Sequence, residues 1–103
     1  MASKSETRRA SAVLPGVKPE KPRMYRVFLH NDDYTTMNFV VAILKDVFNK
    51  QMDDAIRIML AVHRQGVGEC GVYTAEIAET KVALVHSKAR AADFPLRCSM
   101  EAE

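Results

Sequence analysis

The chain has 103 residues, of which 48% are hydrophobic, and a formal net charge of +2. This length suits a single domain, and the apolar content excludes a wholly disordered chain. Residues 1–23 hold six basic and two acidic side chains, so the remaining 80 residues carry a net charge of −2. A folded part without a concentrated cationic stripe is a poor surface for nucleic acid. No apolar run reaches the ~18–20 residues of a membrane span. We therefore expect neither nucleic acid nor a membrane as a partner.

The composition divides the chain into two parts. Residues 1–23 contain three of the four prolines among small and charged side chains, which is typical of flexible chain. We predict a flexible N-terminal extension over 1–23 and a folded core domain over 24–103. Cys70 and Cys98 are too few for a disulfide framework, so we expect reduced, buried thiols and a cytoplasmic protein.

The first predicted element is a strand in the stretch MYRVFLH. Tyr25, Val27 and Leu29 form an apolar face that alternates with a mixed face. Continuing this alternation into the turn that follows places Asn31 and Asp33 on the side of Leu29.

Two helices are predicted next. The first follows Thr35 or Thr36, either of which can cap it. Its predicted core stripe is Val40, Ile43, Leu44, Val47 and Phe48. The second begins at Asp53 or Asp54 and ends at Gly66. Its predicted core stripe is Met52, Ala55, Ile56, Met59, Leu60 and His63.

The remaining elements complete a small α+β fold. GVGECGVYT predicts a second strand, and Thr74 is placed to cap a third helix. The apolar face of that helix is Ala78, Val82, Val85 and Ala89. After Pro95, residues 96–100 read as a last strand. The order β-α-α-β-α-β predicts a three-stranded antiparallel sheet with three helices packed on one face.

The stretch HNDDYTTMN lies between the first strand and the first helix. Its simplest interpretation is a turn followed by a helix cap. It also fits an amine-binding site, because a protonated primary amine has three N–H donors and needs three acceptors. Asn31, Asp33 and a neutral His63 can supply them. The apolar residues around them are Leu29, Met37, Val40, Met59 and Val62.

Other chemistries remain open from the residues alone. His30, Asp32, Asp33 and His63 are possible metal ligands, which would make the chain a small metal-dependent hydrolase. Cys70 and His63 are a conceivable nucleophilic pair, although no third orienting residue can be named. A protein–protein module without a ligand pocket is the third alternative.

Three long stretches resemble one known family. YRVFLHNDDYTTM, MLAVHRQGVGECGVYTAEIAETK and FPLRCSM are similar to the ClpS adaptors of bacterial AAA+ Clp proteases, from Met24 to Met100. The resemblance implies a non-enzymatic adaptor of the N-end rule (N-degron) pathway, without a metal or cofactor. Such an adaptor binds substrates by an N-terminal Leu, Phe, Tyr or Trp and delivers them to the ClpA or ClpC unfoldase. We expect a monomer.

The resemblance also implies residue roles. Asn31, Asp33 and His63 would hold the α-amino group of the substrate, with Asp32 shaping the loop. The implied side-chain pocket is Leu29, Thr35, Met37, Val40, Met59, Val62 and Leu96, with Met37 as a gate against β-branched side chains. Glu76 and Lys81 would contact the N-terminal domain of the unfoldase. Thr36 stands where many relatives have proline, which removes no ligand.

Overall fold

The computed structural model describes residues 21–103, so the predicted extension falls outside the described residues except for 21–23. The strands are β1 (Met24–His30), β2 (Val67–Thr74) and β3 (Arg97–Ala102). The helices are α1 (Met37–Asp46), α2 (Met52–Gln65) and α3 (Ala75–Ala91). This order confirms the predicted β-α-α-β-α-β arrangement. No helix within residues 21–103 is long and apolar enough to cross a membrane.

The sheet has the order β2-β1-β3, and both neighbours of β1 are antiparallel to it. Leu29 in the central strand lies opposite Gly68 on one side and Cys98 on the other. The β1–β2 register shifts between Val27 and Phe28, which leaves Cys70 as the extra residue of a β-bulge. The bulge was not predicted, because it depends on the register that β2 takes against β1 and not on β2 alone.

One face of the sheet is covered and the other is open. Val27 and Leu29 are fully buried, whereas Arg26 is exposed and Phe28 is partly exposed. The helices lie over the buried face. The predicted stripe of α1 is buried throughout, and α3 buries Ala78, Val85 and Ala89 as predicted. Thr36 caps α1, since its hydroxyl accepts a hydrogen bond of 3.1 Å from the Phe39 N–H.

The predicted stripe of α2 is correct for Ala55 and in part for Met59, but it is wrong for Met52, Ile56 and His63. This helix buries Ala55, Ile58 and Val62, whereas Met52 and Ile56 are 48% and 40% exposed. The helix packs against both α1 and β2, and it approaches β2 at Gly68. A Cβ atom at Gly68 would lie 2.7 Å from Val62 Cγ2, so this close contact requires glycine there.

The ends of α2 are fixed by its sequence. The helix begins at Met52, one or two residues earlier than predicted, with Gln51 as its N-cap. Gly66 ends the helix in the left-handed region, with φ at 88°, as the sequence predicts.

Candidate functional site

The loop after β1 is held against the end of α2. The Asn31 N–H donates to the Gly66 carbonyl over 2.9 Å, and the Gly66 N–H donates to the Val62 carbonyl over 3.0 Å. The first of these bonds extends the β1–β2 pairing by one step beyond His30 and Val67. Strand pairing therefore brings the start of the loop beside the last turn of α2, which carries His63.

The loop, the first turns of α1 and the second half of α2 enclose a cleft of about 260 Å³. The residues that line it are Asn31, Asp32, Asp33, Thr35, Met37, Val40, Met59, Val62 and His63. The cleft thus brings together nine of the eleven residues predicted for an amine-and-side-chain pocket. The other two, Leu29 and Leu96, lie in the buried core and not on the cleft wall.

Asp32 organises the loop. Its Oδ1 accepts hydrogen bonds from the N–H groups of Tyr34 (2.8 Å) and Thr35 (2.7 Å). Its Oδ2 accepts a bond of 2.7 Å from the Thr35 hydroxyl. Partial burial opposes ionisation of Asp32, but these hydrogen bonds outweigh it and hold the pKa of the carboxyl below its ordinary value. A charged Asp32 therefore fixes the turn and leaves Thr36 free to cap α1.

Three acceptor groups at this end of the cleft remain available. Asn31, Asp33 and His63 are exposed, and within residues 21–103 their side chains make no hydrogen bond. Strand alternation does not separate Asp32 from its neighbours as predicted, because the chain leaves the strand at His30 and all three loop residues line the cleft. The opposite wall is apolar and comes from α1 and α2.

His30 is turned away from this cleft. Its Nε2 lies 2.6 Å from the Ser99 hydroxyl on β3, and the ring is not part of the cleft lining. Burial and the nearby Arg97 cation lower the pKa of His30. Among residues 21–103 no group of three or more His, Cys, Asp or Glu side chains is placed to hold a metal ion. Asp32, Asp33 and His63 share the cleft but are not placed to hold one ion, and His30 lies outside the cleft, so the four predicted metal ligands do not form a metal site.

The cysteines do not reach the cleft either. Cys70 and Cys98 are buried free thiols, and Cys70 Sγ faces the Gly68 carbonyl at 3.7 Å. Burial, reinforced by the neighbouring Cys98, raises the pKa of Cys70 far above its ordinary value. Burial raises the pKa of Cys98 to about 12. Neither thiol forms a reactive thiolate near neutral pH, which removes the nucleophilic pairing with His63.

The residues predicted to contact the unfoldase lie on α3. Glu76 is exposed in its first turn. Lys81 is only partly exposed, since its Nζ donates to the Val47 carbonyl at the end of α1 over 2.6 Å and lies 5.0 Å from the centre of the Tyr73 ring. Ile77 and Leu84 line a shallow groove beside them and are both exposed. The internal contacts of Lys81 were not predicted, although the carbonyls at the end of α1, including that of its C-cap Val47, need donors.

A cleft with free polar acceptors at one end and an apolar wall at the other is typical of a small-ligand-binding domain. The model of the family described as ATP-dependent Clp protease adaptor protein ClpS matches residues 20–99. The ClpS adapter of Nitratidesulfovibrio vulgaris Miyazaki F is 70% identical over 81 residues, which cover 79% of this chain and 81% of that protein. That of Oleidesulfovibrio alaskensis is 60% identical over 98 residues, covering 95% and 94%.

A solved structure agrees with these sequences. Agrobacterium tumefaciens ClpS2 bound to L-phenylalaninamide superposes with a TM-score of 0.78 and 40% identity, covering 81% of this chain and 100% of that chain. The chain belongs to the ClpS family of adaptor proteins of ATP-dependent Clp proteases. It is an adaptor and not itself an enzyme.

Proposed function

We propose that this adaptor recognises substrates by a free N-terminal Leu, Phe, Tyr or Trp and delivers them to the ClpA or ClpC unfoldase. The observation that carries the proposal is the presence of three available acceptors and an apolar wall in one cleft. The Agrobacterium relative supports it, because phenylalaninamide has a free amino group next to a bulky apolar side chain.

The polar end suits a protonated α-amine. An ammonium group has three N–H donors, and Asn31 offers an amide oxygen, Asp33 a charged oxygen and His63 an unprotonated ring nitrogen. Hydrogen bonds between charged groups are about twice as strong as neutral ones. In this proposal Asp33 supplies the charge, and Asp32 acts through the loop that it orders and not by contact with the substrate.

The apolar end suits the side chain of the substrate's first residue. Val40 and Val62 form the inner wall, while Met59 and the exposed Met37 border it from α2 and α1. Met37 is placed at the first position of α1, where a flexible side chain can act as a gate. Contacts of a bound side chain with Leu29 and Leu96 stay predictions.

These interactions correspond to a modest affinity. Three charge-assisted hydrogen bonds contribute roughly 1.5–3 kcal/mol each, and a buried Leu or Phe side chain contributes about 1.5–3 kcal/mol more. Association and desolvation oppose binding by at least ~4 kcal/mol. The balance of a few to ~8 kcal/mol corresponds to micromolar or weaker binding, which suits an adaptor that must release its substrate.

Delivery requires a second surface, for which we propose Glu76 and the exposed part of Lys81. Thr74, which precedes α3, pairs with Met24 at the start of β1, whereas the cleft follows His30 at its end. A strand of this length separates the two regions by about 20 Å. A substrate and an unfoldase domain can therefore occupy the adaptor together.

The test is a fluorescence titration of the full chain with labelled peptides that begin with Leu, Phe or Ala. We expect the Leu and Phe peptides to bind more tightly than the Ala peptide, and Asp33→Asn to weaken their binding roughly 10- to 100-fold. Asp53→Asn is the matched control, because Asp53 is an exposed carboxylate of α2 outside the cleft. Equal affinity for all three peptides, or equal effects of the two substitutions, contradicts the proposal.

A further inference from the structure

The sulfur atoms of this fold differ sharply in exposure. Both thiols are buried, and their raised pKa values keep them protonated. Within residues 21–103, two thioethers are open to solvent, with Met37 44% and Met52 48% exposed. A protonated, buried thiol is a poor target for oxidants, whereas oxidation of methionine needs only access to its sulfur. The reactive sulfur of residues 21–103 is therefore that of methionine.

One of the two exposed methionines belongs to the cleft. Met37 lines it from α1, and the partly buried Met59 lines it from α2. Met52 lies on the same side of α2 as Met59 but about two turns away, and it is not part of the cleft lining. The chain thus contains an exposed methionine at the cleft and a second one, of similar exposure, outside it.

We propose that Met37 is a modification site at which oxidation to the sulfoxide closes the cleft to bulky apolar N-terminal side chains. The inference rests on the proposed function of the cleft. The oxidant is a peroxide: a lone pair of the thioether sulfur attacks one peroxide oxygen, the O–O bond breaks and an S–O bond forms. Sulfur loses two electrons, the transferred oxygen gives up its proton, and the other peroxide oxygen leaves as water when hydrogen peroxide is the oxidant. A methionine sulfoxide reductase, using the electrons of two thiols, returns the thioether.

The consequence follows from the polarity of the sulfoxide. Its oxygen is a strong acceptor at the edge of a wall formed by Val40, Met59 and Val62, whose side chains have no N–H or O–H donor. The hydroxyl of Thr35 already donates to Asp32, and the N–H groups of Asn31 and His63 belong to the polar end of the cleft and not to this wall. A bulky side chain that enters the cleft must therefore displace water from an unpaired polar group. Such burial weakens binding roughly 10- to 100-fold. The acceptors for the amine are untouched.

The experiment compares each chain before and after treatment with hydrogen peroxide. Peptide mapping by mass spectrometry measures the sulfoxide at positions 37, 52 and 59, and fluorescence anisotropy measures binding of a Leu-initiated peptide. The variants are Met37→Leu and Met52→Leu. We expect oxidation to weaken binding by the wild-type chain and by Met52→Leu roughly 10- to 100-fold, with restoration by the reductase. We expect Met37→Leu to bind the Leu-initiated peptide with the same affinity before and after peroxide treatment.

Two results overturn the inference. One is an unchanged affinity of wild-type chain whose Met37 is fully converted to the sulfoxide. The other is an equal loss in the wild-type and Met37→Leu chains, which would assign the effect to another residue or to unfolding. Failure of the proposed function is recognised separately, because the unoxidised wild-type chain would then not discriminate the Leu peptide from an Ala peptide.

Discussion

Lys81→Met removes the ammonium group that joins α3 to the end of α1 and keeps an unbranched apolar stem. The lost hydrogen bond to the Val47 carbonyl measures 2.6 Å, and the ammonium lies 5.0 Å and 5.7 Å from the centres of the Tyr73 and Phe48 rings. A hydrogen bond from a charged donor contributes about 1.5–3 kcal/mol, and a partly exposed cation–π contact about 0.5–1 kcal/mol. Because Lys81 is partly solvated, we expect the substitution to lower the free energy of unfolding by about 2–3 kcal/mol.

Urea denaturation followed by circular dichroism measures this change. Lys88→Met is the matched control, since Lys88 is an exposed lysine of the same helix, and we expect it to cost less than about 1 kcal/mol. Equal free energies of unfolding for the two variants would refute the structural role of Lys81. If Lys81 has this structural role, weaker unfoldase binding by Lys81→Met has two causes, the loss of a surface contact and the lower stability of the fold. Glu76→Gln, at an exposed position of the same helix, then tests the surface with the fold intact.

Three further predictions concern the loop and α2. Gly68→Ala places a Cβ atom 2.7 Å from Val62 Cγ2 and 3.2 Å from the Ile58 carbonyl oxygen. We therefore expect urea denaturation to show a free energy of unfolding lower by about 1–3 kcal/mol, and peptide binding to weaken because His63 moves with α2. A variant with unchanged stability and unchanged peptide affinity contradicts this packing. The lowered pKa of Asp32 contributes stability that is present above the ordinary carboxyl value of 3.8 and is lost as the pH falls through the lower, folded value. In Asp32→Asn the free energy of unfolding should therefore fall less steeply as the pH is lowered. The same steepness in the wild-type and Asp32→Asn chains would show that the hydrogen bonds of Asp32 do not contribute to stability. His63→Ala should weaken peptide affinity roughly 10-fold, because one of the three acceptors for the amine is lost; an unchanged affinity would remove His63 from that role.

The two core helices show where sequence patterns are sufficient. In α1 the spacing of Val40, Ile43 and Leu44 selects the buried face, although Phe39 and Val41 beside this stripe are also apolar and only partly buried. In α2 the stretch AIRIMLAV is apolar around most of the helix, so periodicity cannot choose the buried side. The contact with Gly68 on β2 chooses it, and that contact is between residues of different elements. Met52 and Ile56, predicted as core, consequently lie on the surface.

The candidate site, too, is predicted only in part by local sequence. The type of each polar residue after β1 indicates its chemistry, and the resemblance to a known family names His63 as its partner. What local sequence does not contain is the pairing that makes them neighbours. The bond from Asn31 to Gly66 depends on the antiparallel register of β1 and β2. The bond from His30 to Ser99, which turns one candidate metal ligand away, depends on the register of β1 and β3.

The most direct test of the amine-binding site is the affinity of the full chain for two peptides that both begin with Leu and differ only in that one has a free and the other an acetylated N-terminus. Acetylation removes the positive charge and two of the three N–H donors, while the Leu side chain is unchanged. We expect binding of the acetylated peptide to weaken at least ~100-fold, since two or more charge-assisted hydrogen bonds are lost. Equal affinities would contradict the assignment of Asn31, Asp33 and His63 as an amine-binding site.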